Sequence, residues 1–544
     1  MLTRSTLFFL FAFLFLVSCR TEEPVATAPA EVVEAAETAL PTDPARSYGE
    51  LFDAVQMQQV FPDGKTFVDC IPKQDSATIM AAYRDWKGGD SDDLKAFVLQ
   101  YFDLPPTPAS GFVSDTTRNI AQHISALWPI LTRQPTDGAD RGTLIPLPDP
   151  YIVPGGRFRE IYYWDSYFTL LGLQADGQEE MVKNMVDNFA YLIDRVGFIP
   201  NGNRAYYLTR SQPPFFSHMV EVLAEGGDDP AATYVAYLPQ LRKEYDWWME
   251  GSSQLTAENP TNLHTVRMAD GSILNRYYDR GDYPRSESYR EDVETARAAP
   301  DREAARVYRD LRSGAESGWD FTSRWFDDGK SISTVRTTAM VPPDLNALLY
   351  HLETTLAKAY AAEDDQENGK LFTAAAEARS RAINTYLWDE AKGCYQDYDH
   401  ERGEFTGRLS LATVYPLFTH CSDAAKAARI AKLLRTDFLQ PGGLLSTPTV
   451  TGQQWDAPNG WPPLQWMAYR GLLNYEQPEL AGEVRSRWMT VNERVYGNVF
   501  KMVEKYVVTD MTLLAGGGEY PVQDGFGWSN GVYRAMLAEG EDKE

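Results

Sequence analysis

Along most of this chain apolar side chains return every three or four residues, while strict apolar–polar alternation is scarce, so the pattern predicts helices and few strands. Met181, Val182, Met185, Val186, Phe189, Leu192, Ile193 and Val196 fall on one helical face. Pro342-Pro343-Asp344 opens another helix over 345–361, with Leu345, Leu348, Leu349, Leu352, Leu356 and Ala359 on one side. Residues 371–387 and 424–439 repeat the period. Between the helices lie long segments rich in Gly, Pro, Trp and Tyr: 151–167, 201–216, 281–290, 314–326, 452–466 and 515–531. Loops of that length in a folded protein are usually functional. With no compositional break from residue 48 to 540, the pattern predicts one all-α domain over 47–540.

Two terminal segments stand apart. Residues 1–19 carry Arg4, then an apolar run from Leu7 to Val17 that is short for a bilayer span, then Leu16-Val17-Ser18-Cys19. This ending resembles a bacterial lipobox, which implies cleavage before Cys19, lipidation of its thiol and a membrane anchor. Arg20 follows in place of the Asp that commonly retains lipoproteins at the inner membrane, so an outer-membrane or cell-surface position is expected. Residues 20–46, rich in Ala, Pro, Glu and Thr, read as a disordered acidic tether.

Charge narrows the partners. With 51 basic and 77 acidic side chains among 544 residues, the formal charge is -26. That repels nucleic acid and disfavours an anionic substrate, and leaves a neutral substrate as the better fit. Aromatics, 12% of residues with 13 Trp and 30 Tyr, suit stacking on sugar rings and equally suit a large core. Apart from Cys19 there are only Cys70, Cys394 and Cys421, enough for at most one disulfide. No Cys or His spacing has a metal-site form, so no metal centre is expected.

Two familiar motifs fail. Gly527-Trp528-Ser529-Asn530-Gly531 has the nucleophile-elbow pattern, but no His follows His420 in the chain. Gly64-Lys65-Thr66 has a phosphate-loop ending, yet Gln59 occupies the first glycine position. The stretch Glu316-Ser317-Gly318-Trp319-Asp320-Phe321-Thr322-Ser323-Arg324-Trp325 is more suggestive, because it sets a carboxylate between two indoles. Aromatic surroundings push a carboxyl toward its protonated form, as a general acid requires. The alternative is a pair of core tryptophans with an Asp320–Arg324 ion pair.

The loop Pro154-Gly155-Gly156-Arg157-Phe158-Arg159-Glu160-Ile161-Tyr162-Tyr163-Trp164-Asp165-Ser166-Tyr167 combines a glycine turn with a guanidinium fork, an indole and a carboxylate. It closely resembles the first signature of the trehalases of glycoside hydrolase family 37. Gln454-Trp455-Asp456-Ala457-Pro458-Asn459-Gly460-Trp461-Pro462-Pro463 resembles their second. The resemblance runs from Leu51 to about Tyr533. It implies an (α/α)6 toroid with catalytic loops at one end, a monomer, and hydrolysis of α,α-trehalose without a cofactor.

Residue by residue, the resemblance implies Asp320 as general acid and Glu504, in Glu504-Lys505-Tyr506, as general base. Sugar-binding matches are Arg157, Trp164, Asp165, Asn201, Arg210, Gln212, Arg285, Glu287, Gly318 and, after a glycine run, Glu519. Structural alternatives are salt bridges between Arg157 and Asp165 and between Arg285 and Glu287, and a core role for Trp455 and Trp461, with Asp456 bracing the pocket. Val507 stands where the family commonly has Asp, which puts hydrophobic neighbours around Glu504. The remaining functional alternatives are another α-glucosidase on the same toroid and a non-catalytic sugar-binding lipoprotein.

Overall fold

Acidic side chains and prolines set where the helices begin. Asp229, Asp365 and Asp423 each accept a backbone N–H from the first turn that follows, and Pro230, Pro343, Pro462 and Pro478 stand in first turns, where no N–H is needed. Gly197, at φ 95°, ends the helix before it. The computed structural model describes residues 39–105, 114–135, 142–513 and 525–541.

Among the described residues, twelve helices form two concentric layers: α1 (Ile120–Leu131), α2 (Tyr163–Ala175), α3 (Glu179–Val196), α4 (Phe216–Gly226), α5 (Pro230–Trp248), α6 (Pro343–Ala362), α7 (Gln366–Tyr386), α8 (Tyr415–Phe418), α9 (Ala424–Leu433), α10 (Pro462–Asn474), α11 (Pro478–Val499) and α12 (Gly527–Glu541). The even-numbered helices pack in order, α2 on α4, α4 on α6, α6 on α8, α8 on α10 and α10 on α12, and α12 returns to α2. This closed inner ring, alternating in the chain with outer helices, is an (α/α)6 toroid. Strands are two or three residues long and lie in the connections.

The ring closes where α12 meets α2, and glycines make that contact possible. A Cβ at Gly531 would lie 2.0 Å from the Phe168 carbonyl oxygen, and one at Gly172 would lie 2.4 Å from the Cα of Gly531. The Gly527–Gly531 motif is therefore part of a helix seam.

The helices foreseen from periodicity are present, with adjusted ends. α7 starts at Gln366, because Asp365 caps a polar first turn that carries no apolar period. The segment foreseen over 424–439 is helical to Leu433, widens into a π turn over Leu434–Phe438 and ends in a short strand. The segments read as loops hold helix starts: α2, α4 and α10 begin inside them, and Ala304–Glu316 runs into the one around Asp320.

The folded region also begins earlier than residue 47. A helix over Pro44–Met57 is capped by Asp43, whose carboxylate accepts from Ser286 Oγ at 2.6 Å. The compact unit therefore begins near Pro41, and the tether expected over residues 20–46 lies for the most part outside the described residues. Tyr48, Phe52, Phe67, Phe97 and Phe102 from this region form an aromatic cluster with Tyr162 and Tyr206, which carry it to the loops above the ring. Cys70, Cys394 and Cys421 are buried free thiols, so the disulfide left open by the cysteine count does not form. No helix of the described residues is long and apolar enough to cross a membrane.

Candidate active site

At the end of the ring where the inner helices begin, the loops enclose a cavity. Asp320, Glu504, Arg157, Trp164, Asp165 and Asn201 line it, as do Arg210, Gln212, Arg285, Glu287 and Gly318. Of the site residues expected from the sequence, only Glu519 is not among them; it lies outside the described residues, as does Cys19.

Asp320 sits just past the helix Ala304–Glu316, with its side chain about one-third exposed to the cavity at 35%. One carboxylate oxygen is 3.8 Å from Nη1 of Arg285. The second signature fixes the loop. Gln454 Nε2 donates to the Asp320 carbonyl at 2.6 Å and Trp455 N–H to the Phe321 carbonyl at 3.1 Å. Asp456, fully buried, accepts from Thr322 Oγ1 at 2.7 Å and from Ser323 N–H and Oγ at 2.8 and 2.9 Å. It also accepts from Thr447 and Thr451 on its own side. One carboxylate thus ties two loops 134 residues apart in sequence by charge-assisted hydrogen bonds, as the bracing role foreseen for it requires.

Two readings of this loop need correction. Arg324 does not pair with Asp320; it is buried between Trp319 and Trp325 and makes forked bonds to Asp344 and Asp397. Nor do Trp319 and Trp325 line the cavity. In an irregular loop neighbouring side chains diverge, and the indoles that share the cavity with Asp320 are Trp164, Trp455, Trp461 and Trp528. Gly318 lets this loop rest on Trp164: at φ 75° its Cβ would lie 2.8 Å from the indole.

Glu504 is buried, at 1% exposure, beside Lys505, whose Nζ is 2.9 Å from its Oε2. Lys505 also stands over the Trp461 ring at 5.0 Å. The first turn of α12 secures the segment: Trp528 Nε1 donates to the Glu504 carbonyl at 2.9 Å and Ser529 Oγ to that of Val503 at 2.6 Å. Tyr506 and Val507 then pair with Gly460 and Asn459 of the second signature. Val507 is buried in that pairing, opposite Asn459, while Lys505 stands beside the Glu504 carboxylate.

The remaining groups form a polar rim. Arg210 donates to Asn201 Oδ1 at 2.9 Å and to Glu287 Oε1 at 2.7 Å. Burial raises the pKa of Glu287, but Arg210 and Arg285 outweigh it and hold the carboxyl below its ordinary range. The other oxygen of Glu287 has no hydrogen bond among the described residues. Arg285 gives its fork to Asp292, with Nη2 to Oδ1 at 2.7 Å, and acts on Glu287 through its charge. Asp165, in the first turn of α2, is pushed well above the usual carboxylate range by burial and then by the charges of Glu504 and Asp320.

Sequence reasoning missed Lys65 and Asp292. Lys65 lines the cavity and bonds to Asp69 at 2.5 Å and Glu160 at 2.7 Å. Its Gly64-Lys65-Thr66 setting is a helical turn in which a Cβ at Gly64 would meet the Glu287 carbonyl at 2.6 Å. No local signal marks either residue, since their partners lie far along the chain or across a turn. Among the described residues no cluster of His, Cys, Asp or Glu is placed to hold a metal ion.

Carboxyls, arginines and indoles at one end of an (α/α)6 ring define a glycoside hydrolase. The trehalase family profile matches residues 59–540, and the chain belongs to that family. A periplasmic trehalase of Pseudomonas aeruginosa is 51% identical over 498 residues, covering 91% of this chain and 90% of that protein. A periplasmic trehalase of Salmonella agona is 49% identical over 501 residues, covering 92% and 87%. Among solved structures, neutral trehalase Nth1 from Saccharomyces cerevisiae superposes with a TM-score of 0.60 at 26% identity, covering 71% of this chain and 73% of that one.

Proposed function

We propose that this protein hydrolyses α,α-trehalose to two glucose molecules with inversion, Asp320 acting as general acid and Glu504 as general base. The observation that carries the reading is that two carboxyls 184 residues apart, each fixed by the second signature, open into one cavity rimmed by arginines and indoles. Membership of the trehalase family supports the substrate.

In the proposed step, Asp320 gives its proton to the bridging oxygen as that carbon–oxygen bond breaks. Glu504 takes a proton from a water that attacks the anomeric carbon from the opposite face. The leaving glucose keeps the α configuration and the attacked one becomes β. Lys505 Nζ holds one oxygen of Glu504 at 2.9 Å, and Arg285 orients the acid. Indole faces take the sugar rings, while Arg157, Asn201, Arg210, Gln212 and Glu287 read hydroxyls. Trp164, Asp165 and Gly318 shape the same pocket, and Glu519 is proposed to join it.

Proton NMR of the anomers tests this directly: equal initial release of α- and β-glucose from trehalose is expected. Release of α-glucose alone, a preference for maltose, or binding without release would each reject it.

Residues 1–19 are proposed as a lipoprotein signal, with Cys19 acylated and a tether to about Pro41 holding the enzyme in the periplasm, on the outer membrane. The descriptions of the bacterial relatives as periplasmic support the compartment. Incorporation of labelled palmitate into the intact protein, abolished in Cys19→Ala, tests the anchor.

A further inference from the structure

The ring has a second opening. Where the inner helices end, at the side opposite the loops around Asp320, lies a cavity of about 560 Å³ that the proposed reaction does not use. All of the inner helices reach it, through Gln174 of α2, Glu225 of α4, Lys358 of α6, Asn474 of α10 and Glu539 of α12, with Phe418 closing α8. That volume lies within the range of small-molecule sites.

One wall is aromatic. The rings of His351, His218 and Phe418 stack in succession, with centroids 3.5 and 5.0 Å apart, and Tyr167 meets His218 and Phe418 edge-on. Trp466 lines the cavity as well.

The polar groups are mostly committed to one another. His351 bonds to Ser217 Oγ at 2.9 Å and to Glu221 at 3.0 Å, and Lys358 stands 3.5 Å from the other Glu221 oxygen. Arg470 is 2.6 Å from Glu539. Besides Trp466 Nε1 and the His420 ring, two groups without a partner among the described residues bear on the cavity's charge. His218, only 4% exposed, has a ring Nδ1 without a hydrogen-bond partner, and Glu225, in the last turn of α4, has no ion pair. Burial, and then His351, keep His218 far below the ordinary imidazole range, so it is neutral and offers a lone pair. A carboxylate at a helix C-terminus faces the negative end of the dipole, and α2, α10 and α12 aim their own C-termini at the same space. The uncompensated charge of this cavity is therefore negative, and its aromatic wall offers apolar surface for the body of a ligand.

We propose that this cavity is a binding site for a small organic cation: an ammonium on an apolar body, its N–H groups donating to Glu225 and His218 and its body against Phe418, Tyr167 and Trp466. The inference stands apart from the proposed hydrolysis, since none of these residues lines the catalytic cavity.

Isothermal titration of the full-length protein with three probes that share one ring tests it: cyclohexylammonium, cyclohexanol and cyclohexanecarboxylate. The cation is expected to bind, with the alcohol and the acid at least about tenfold weaker. Glu225→Gln should weaken the cation by about tenfold, and Glu225→Lys, which supplies its own ammonium, should abolish binding. Glu225 is on the exposed side of α4, so both variants are expected to fold, which a thermal melt verifies. Absence of cation binding, an alcohol that binds as tightly, or a cation affinity unchanged in Glu225→Gln would overturn the proposal.

Discussion

Besides Glu287, which Arg210 holds, three carboxyls line the catalytic cavity, and their surroundings separate them. Asp320 is open and faces Arg285; Glu504 is enclosed and faces Lys505; Asp165 is buried and repelled by both. Replacing Asp320 with Asn or Glu504 with Gln is expected to lower kcat by about a thousandfold while leaving the melting temperature unchanged, measured by trehalose turnover and calorimetry. Asp165 predicts a pH effect on stability. Its folded pKa lies above the unfolded value, so the native state binds the extra proton, and stability is full below the ordinary carboxyl range and falls as pH rises through the raised value. Asp165→Asn should therefore match the wild type in thermal stability near pH 4 and exceed it at pH 8, with reduced kcat/KM at both; equal melting curves at pH 8 would refute the upward shift of this carboxyl.

At the scale of elements, the site depends on two loops held by Asp456 and on helices braced from behind. Asp456→Asn should cost about a hundredfold in kcat by loosening the Asp320 loop, a loss of the size expected when a catalytic group is misplaced by about an ångström. Single-turnover kinetics would show it in the chemical step. Behind α2, Tyr163 hydrogen-bonds Glu244 of the outer helix α5, and burial raises that carboxyl from 4.5 to about 8. The native state then holds a proton the unfolded chain has lost, so stability falls as pH rises from about 4.5 to about 8. Glu244→Gln should flatten that slope in denaturant midpoints taken across the interval. The same layering explains what the sequence could reveal. Outer helices such as α3 and α7 have one wet face and show a clear period, whereas α2 is buried on every side from Tyr163 to Leu173 and shows none, so its start read as loop. The residues of the cavity were legible through two long motifs. The pairings of Arg285 with Asp292 and of Arg324 with Asp344 and Asp397 were not, because a guanidinium fork can take any nearby carboxylate and only the fold decides which one is near.

Taken whole, the molecule carries a strong negative charge and yet concentrates arginines around the catalytic cavity, which suits a neutral polyol drawn in by hydrogen bonds and not by long-range attraction. Turnover should accordingly vary little with ionic strength, and a steep decline of kcat/KM with added salt would contradict this. The glycine seam between α2 and α12 bears on stability as a whole: Gly531→Ala forces a methyl against the Phe168 carbonyl and is expected to cost about 3 kcal/mol or more, read from urea denaturation. That seam joins the first inner helix to be synthesised with the last, residues 163–175 with 527–541. A nascent chain in which residues 527–541 are not yet exposed cannot complete it. Until then the ring stays breached, its apolar flank open to chaperones and proteases and its cleft unassembled.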